Sequence, residues 1–363
     1  MDMIKDRIEK LRGEIRKTPY HKGTEHYIGK LRARIAHLED QYILRPKKGG
    51  GVSFNIKKSG DATVVLIGPP LAGKSTLLNK LTNASSKVAP YAFTTTTIIP
   101  GMMLFKGAQI QILDLPGIIE NASIGKGHGR EILSASRCAD LLLIMTDIQR
   151  IDQLSLIIRE LHNAGLRVNQ SAPEVVIKKK NSGGLVIRIP AGFKNINTQT
   201  VASIASEFHL VNTEIIIKED LTMERLIDSF SPNRLYIKAI YIINKIDLSN
   251  NRSISLKSEF FPIKLLSAEN NIGLEDLKST IWDNLDFMRI YLKKDKAQAD
   301  MLHPIIVKKG TTVAILAKKI SSNISDKLKG AFIRGAKVAY QGQLVGLNYT
   351  LHNEQIVTLL SSK

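Results

Sequence analysis

Residues 63–75 read Thr63-Val64-Val65-Leu66-Ile67-Gly68-Pro69-Pro70-Leu71-Ala72-Gly73-Lys74-Ser75. An apolar, β-prone run is followed by Gly-x4-Gly-Lys-Ser, and Leu77–Leu81 then opens a helix. A loop in that setting aims backbone N–H groups and a helix N-terminus at phosphate. Gly68, Pro69, Leu71, Ala72, Gly73, Lys74, Ser75 and Thr76 are therefore assigned to a bound nucleotide. Lys74 is expected on the β- and γ-phosphates and the Ser75 hydroxyl on Mg2+.

Further apolar runs lie on either side of this loop: Gln109–Leu113, Leu141–Met145, Ile240–Ile243 and Pro262–Leu266. Runs without alternation are what parallel strands covered on both faces require. Helical spacing at Gly129–Ser136, Ile151–His162 and Leu274–Leu285 separates them, so a doubly wound α/β sheet is expected.

Three strand ends carry the chemistry that a phosphate loop lacks. Asn244-Lys245-Ile246-Asp247 ends the run at Ile243. A carboxylate at Asp247 can accept from both N1–H and the exocyclic amine of guanine, whereas adenine would leave it unpaired. Ser267-Ala268 follows another strand and supplies a backbone contact to the guanine oxygen. Asp114-Leu115-Pro116-Gly117 places a carboxylate for Mg2+ and a glycine amide for the γ-phosphate. Before it, Phe93-Thr94-Thr95-Thr96-Thr97 fits a first switch, with Thr95 as first choice for completing the Mg2+ shell and Thr94 as second. The metal set is thus Ser75, Thr95 and Asp114, and the residues expected to act on the γ-phosphate are Lys74, Thr95 and Gly117. GTP and GDP are the ligands that this set selects.

Ile118 stands where many GTPases carry a water-orienting glutamine. Other GTPases bind K+ with help from a phosphate-loop asparagine, but the matching position here is Leu71, so K+ is left open and disfavoured. His128 and Arg130 are alternative water-positioning groups, with solvated parts of a second switch as the preferred reading.

The 363 residues exceed what one core usually absorbs. Ile4, Ile8, Leu11 and Ile15, then Ile28, Leu31, Ile35, Leu38 and Tyr42, form two helical stripes broken at Thr18-Pro19, a basic hairpin expected to pack on itself. A linker at Arg45–Gly51 completes residues 1–60, and the nucleotide-binding domain is expected over 61–290. Residues 167–235 are too long for a loop and read as an α/β insertion. A small α+β module is expected over 291–363, with β-like Ile305–Val307, a helix at Val313–Ile320, and strands near Lys337–Tyr340 and Gln355–Leu360.

Charge separates the parts. Residues 1–60 hold 15 basic against 7 acidic side chains, and 291–363 hold 12 against 4, out of a net +19. Basic ends around a near-neutral centre suggest RNA as partner, with plain solubility and anionic membrane as the alternatives. The lone Cys138 forbids an intrachain disulfide and suits the cytoplasm. No apolar run of ~20 residues and no secretory leader is seen.

Together, Phe93-Thr94-Thr95, Asp114–Ile118, Gly125-Lys126-Gly127 and Asn244–Asp247 resemble the Obg-like GTPases. Thr24-Glu25-His26, Val175–Lys179 with Gly183-Gly184, and Ile281-Trp282-Asp283 through Arg289-Ile290-Tyr291 extend the resemblance to the developmentally regulated GTP-binding protein (DRG) family. It implies a P-loop GTPase domain with an N-terminal helical hairpin, a ribosomal-protein-like insertion and a C-terminal TGS domain of β-grasp type. It also implies a cytoplasmic translation GTPase associated with the ribosome or rRNA, and a DRG-type regulatory protein as partner. No stable membrane association and no DNA are expected. Leu71, where relatives typically carry Ser, and a short glycine linker after Lys48 depart from the family. Two functional readings follow. One is a hydrolysing switch; the other is a nucleotide-gated assembly factor or scaffold with negligible turnover, to which Ile118 and Leu71 point.

Overall fold

A computed structural model describes residues 3–21, 23–44, 58–82, 99–114, 129–248, 262–293 and 298–361. Thr94, Thr95, Gly117, Ile118 and His128, and the linker at 45–51, lie outside the described residues.

In chain order the elements are α1 (Met3–Lys17), α2 (Glu25–Leu44), β1 (Ala62–Ile67), α3 (Lys74–Thr82), β2 (Ile99–Phe105), β3 (Ala108–Asp114), α4 (Gly129–Arg137), β4 (Leu141–Asp147), α5 (Gln153–Asn163) and β5 (Leu166–Val168). There follow β6 (Val175–Lys179), β7 (Leu185–Arg188), α6 (Thr198–Glu207), β8 (Thr213–Ile217), α7 (Met223–Phe230), β9 (Leu235–Ile237), β10 (Ala239–Asn244), β11 (Ile263–Leu265) and α8 (Leu274–Asn284). The chain ends with β12 (Phe287–Leu292), β13 (Ile305–Lys308), α9 (Val313–Ile320), β14 (Leu328–Arg334), β15 (Gln343–Val345) and β16 (Gln355–Ser361). Among the described residues, no helix is long and apolar enough to cross a membrane.

Two compact units result. One gathers 54–126, 135–157 and 238–363 and is built on a six-stranded sheet of order β11-β10-β4-β1-β3-β2. The runs read as buried strands are β1, β3, β4 and β10; every residue of β1, β4 and β10 is buried. The neighbours β10–β11, β10–β4, β4–β1 and β1–β3 are parallel and β2 is antiparallel, which gives the doubly wound sheet the sequence indicates. Strand β2 escapes a sequence reading because Pro100 and Gly101 interrupt it. An edge strand tolerates both.

The same unit carries a second sheet, β13-β12-β16-β14-β15, with Val313, Leu316 and Ala317 of α9 packed on Ile290, Ile333 and Val357. A mixed sheet packed on a helix, here with the short helix Ser322–Asp326 following it, is the β-grasp arrangement. Two expectations need correction. A boundary at residue 291 cuts β12, which pairs antiparallel with β13 and parallel with β16, so this sheet starts at Phe287. Asp286, at φ +54, turns α8 directly into it. Lys337–Tyr340 is not a strand either: Lys337 has φ +60, which no ladder position tolerates, and the strand is β15, after Gly342. Strand β14 is hidden by Gly330, where a Cβ would lie 2.6 Å from the Val345 carbonyl oxygen.

The other unit gathers 1–53, 127–134 and 158–237, so the hairpin and the insertion form one body. Ile8 and Leu11 of α1 meet Leu31 and Leu38 of α2, with Ile4, Ile15 and Ile35 against them. A second face of α2, Ala33 and Ala36, joins Val201, Ile204 and Ala205 of α6 and Leu226 and Phe230 of α7 in the core under the sheet β6-β8-β7. Small residues on that face bring the helices close. The paired strands β5 and β9 contain the expected insertion limits, 167 and 235.

Buried charge ties this body together. Asp228 takes Arg167 in a two-pronged contact, Nε–Oδ2 at 2.5 Å and Nη2–Oδ1 at 2.6 Å, and Arg234 Nε at 2.8 Å. Arg234 continues to Asp40 of α2 at 2.7 Å. His162 lies beside this network, and burial, reinforced by the Arg167 charge, holds its pKa below the usual histidine value against the pull of Asp228 and Glu224. The unfolded chain then binds this proton more tightly than the folded one. The His162 contribution should accordingly be intact near neutral pH and lost as pH falls below about 6.5, the unfolded value. Protection factors at β5 and α7, corrected for the intrinsic pH dependence of amide exchange, should fall on acidification, and His162→Gln should flatten that part of the profile. An unchanged profile in the variant would place the pH sensitivity elsewhere.

Candidate functional site

The C-terminal ends of β1, β3, β4, β10 and β11 lie along one edge of the six-stranded sheet. The chain passes from β1 to β3 on one side and to β4 on the other, so this edge is a topological switch point, where such sheets bind ligands.

The phosphate loop is already shaped. Lys74 is buried and its Nζ donates to the carbonyl oxygens of Gly68, at 2.9 Å, and Pro69, at 2.8 Å. The ammonium is thus parked across the loop's mouth, where an incoming phosphate would meet it. Gly73, at φ +91, sits so close to Asn244 that a Cβ would lie 2.3 Å from its Nδ2, so no other residue fits. Leu71 also has positive φ, +62, with its side chain 82% exposed. Ser75 and the half-buried Thr76 lie in the first turn of α3, whose N–H groups have no partner within the helix and suit an anion.

Ser75 Oγ donates to Asp114 Oδ2 at 3.0 Å. Asp114 is 1% exposed, and its other oxygen has no partner among the described residues. Burial raises this carboxyl above the usual range, while the Lys74 charge and the Ser75 hydroxyl pull it back down. A hydroxyl beside a buried carboxylate with a spare oxygen is a donor set that suits a hard, oxygen-seeking divalent cation.

Asn244 joins the two halves of the pocket. Its Nδ2 donates to Ala72 O at 2.9 Å, and its Oδ1 accepts from Ala268 N at 2.9 Å. Ser267 is fully buried and its Oγ accepts from Asn270 N at 3.3 Å, shaping the loop that follows β11. Asp247 stands in a short 3-10 turn, Ile246–Leu248, with its carboxylate exposed. Lys245, at φ +59, reaches back to Leu71 O at 2.7 Å. The structure therefore gathers the phosphate loop, Asp114, Asn244–Asp247 and Ser267–Ala268 at one edge.

Sequence reasoning misses Asp147 and Arg150. Asp147 closes β4 in register with Asn244, is buried, and takes Arg150 Nε at 3.0 Å and Nη2 at 2.5 Å. The same oxygen lies 3.9 Å from Lys245 Nζ, which helps to hold that lysine over the loop. The available signal is an acidic residue ending an apolar strand, the position that Asp114 holds on β3.

Residues 63–180 match the family model described as 50S ribosome-binding GTPase, 182–287 the C-terminal region of the MMR_HSR1 domain, and 288–361 the TGS domain. The chain is 41% identical to a GTP-binding protein of Methanocaldococcus jannaschii, over 98% of this chain and 93% of that one. It is 36% identical to developmentally-regulated G-protein 3 of Arabidopsis thaliana over 99% of both chains. With developmentally-regulated GTP-binding protein 2 of Homo sapiens it shares 34%, over 98% and 99%. The chain belongs to the DRG family. As a DRG-family GTP-binding protein it has the GTPase domain followed by a TGS domain that the sequence resemblance implies. The TGS match opens one residue after β12 begins, in agreement with the sheet boundary.

Proposed function

We propose that this DRG-family protein hydrolyses GTP to GDP and phosphate with Mg2+, acting in the cytoplasm as a switch on the ribosome or another RNA. The observation that carries the catalytic part is the pairing of a pre-placed Lys74 with a buried Asp114 that keeps one oxygen free beside Ser75. Ser75 and Asp114 would hold Mg2+, with Thr95 as the expected third contributor. Bound there, the ion supplies charge neutralisation between the β- and γ-phosphates.

The chain's own residues supply the rest. The α3 N-terminus and the loop amides bind phosphate, Lys74 leaves its two carbonyl partners for the γ-phosphate, and Asp247 reads the base. Ile118 cannot orient water, so slow intrinsic turnover is part of the proposal. The exposed, apolar Leu71 favours the second reading, a nucleotide-gated scaffold, because it offers an activating cation no ligand.

Single-turnover GTP hydrolysis with and without ribosomes, in K+ and in Na+, separates the two. Acceleration by ribosomes supports the switch, and no turnover under any condition supports the scaffold. For the partner, the net +8 carried by each chain end argues for RNA. Ribosome co-sedimentation with a GTP analogue, GDP and no nucleotide should show the most pelleting with the analogue and a loss with rising salt. Equal absence in all three would remove the ribosome from the proposal. A DRG-type regulatory protein remains part of the same reading.

A further inference from the structure

The five-stranded sheet presents two unlike faces. Ile290, Val307, Ala331, Ile333, Val345 and Val357 turn towards α9. Alternation sends Phe287, Ile306 and Phe332 to the opposite face. That face is divided. At β12 and β13, Phe287 and Ile306 enter the core of the six-stranded sheet, with Trp282 edge-on to Phe287. At β14, β15 and β16 it is open.

On the open half, Phe332 of the interior strand β14 faces Leu344 of β15 on one side and Thr358 of β16 on the other. Phe332 is 39% exposed, Leu344 54%, and Leu360, one same-face position beyond Thr358, 38%. Arg334 follows Phe332 on the same face, opposite Ile356. Lys329 lies near the start of the strand, at its register irregularity, and Lys337 follows its end. Among the described residues no acidic side chain pairs with Arg334, Lys329 or Lys337. From Lys327 to Lys363 the sequence holds five basic residues and one acidic, and that one, Glu354, is bonded to Arg289.

We propose that this open half-face is a stacking platform for single-stranded RNA, with a base on Phe332 and phosphates on Arg334, Lys329 and Lys337. This deepens the RNA reading above and rests on it. An aromatic ring held on an interior strand beside unpaired cations is what unstacked bases and their backbone need. The apolar patch is three side chains wide. A stable protein interface buries about 800 Å2 on each partner, so the patch suits one or two bases better than an acidic protein surface. Duplex RNA would offer Phe332 no free base.

The test uses the full chain loaded with GDP and a fluorescent, mixed-sequence single-stranded RNA of about twelve nucleotides, read by anisotropy across salt. Phe332→Ala should weaken binding about tenfold, within the range for loss of one stacked base, while Phe332→Tyr retains it. Arg334→Gln should weaken binding less and lower the salt slope by about one. Unchanged GDP affinity in each variant certifies the fold. Parental affinity in Phe332→Ala, or equal competition by duplex RNA, would overturn the platform. If ribosomes still pellet either protein in that case, the ribosome reading survives alone. Pelleting of a parent chain that ignores single-stranded RNA would also overturn the platform, leaving a protein contact. A parent that binds neither would sink both.

Discussion

Asp247→Asn is expected to turn the nucleotide site from guanine towards xanthine, with guanine nucleotides losing about 10^4-fold against the parent. The carboxylate offers two acceptors to two guanine donors. An amide offers one acceptor and one donor, which leaves the guanine amine facing an N–H. Xanthine carries a carbonyl oxygen at that position, so the amide suits it. Asp247 is exposed and lies on a short turn that Leu248 N→Lys245 O closes through backbone, so the exchange should not disturb the fold. Titration with fluorescent GDP and XDP reads the result directly. Undiminished preference for GDP would show that the base is read elsewhere.

The second large effect is structural. Asp228→Ala should destabilise the hairpin-and-insertion body by about 3–5 kcal/mol, the usual consequence of stripping the partner from a buried ion cluster. Arg167 and Arg234 would both keep buried guanidiniums, and only Arg234 would retain a carboxylate, Asp40. Hydrogen exchange at β5, β9 and α7 should lose protection accordingly. Replacing Asp40, Arg167, Asp228 and Arg234 together with Leu, Met, Leu and Met should cost far less, since the whole cluster is removed and no member of it is left as an orphaned charge. A single variant with protection within about 1 kcal/mol of the parent would mean that the two arginines reach water or other acceptors.

These two cases mark what the sequence discloses. The place of Asp247 is legible because its cue is local: a tetrapeptide at the end of an apolar run, which the structure sets in the turn after β10. Lys74, Ser75 and Asp114 are legible for the same reason. Asp228 is not, since an aspartate on an amphipathic helix looks like any solvated charge until β5, β9 and α2 deliver Arg167, Arg234 and Asp40 around it. Asp147 is similar; it gains meaning only from Lys245, which sits on the neighbouring strand's end. The fold divides along the same line. Continuous apolar runs announce β1, β3, β4 and β10, whereas β2 and β14 contain Pro100, Gly101 and Gly330, which only an edge position or a close cross-strand approach explains. The second face of α2 is silent because alanines at 33 and 36 carry no strong pattern.

The passage from α8 into β12 through two residues, Leu285 and Asp286, has a practical outcome. No tether separates the nucleotide-binding sheet from the TGS sheet, and the first TGS strand donates Phe287 to its neighbour's interior. Cutting the chain between β12 and β13, near residue 300, would strand β12 without β13 or β16 and bare its ladder groups to other molecules. A truncated protein would therefore report on its own aggregation. The division of labour between the two sheets has to be dissected by altering surfaces of the intact chain.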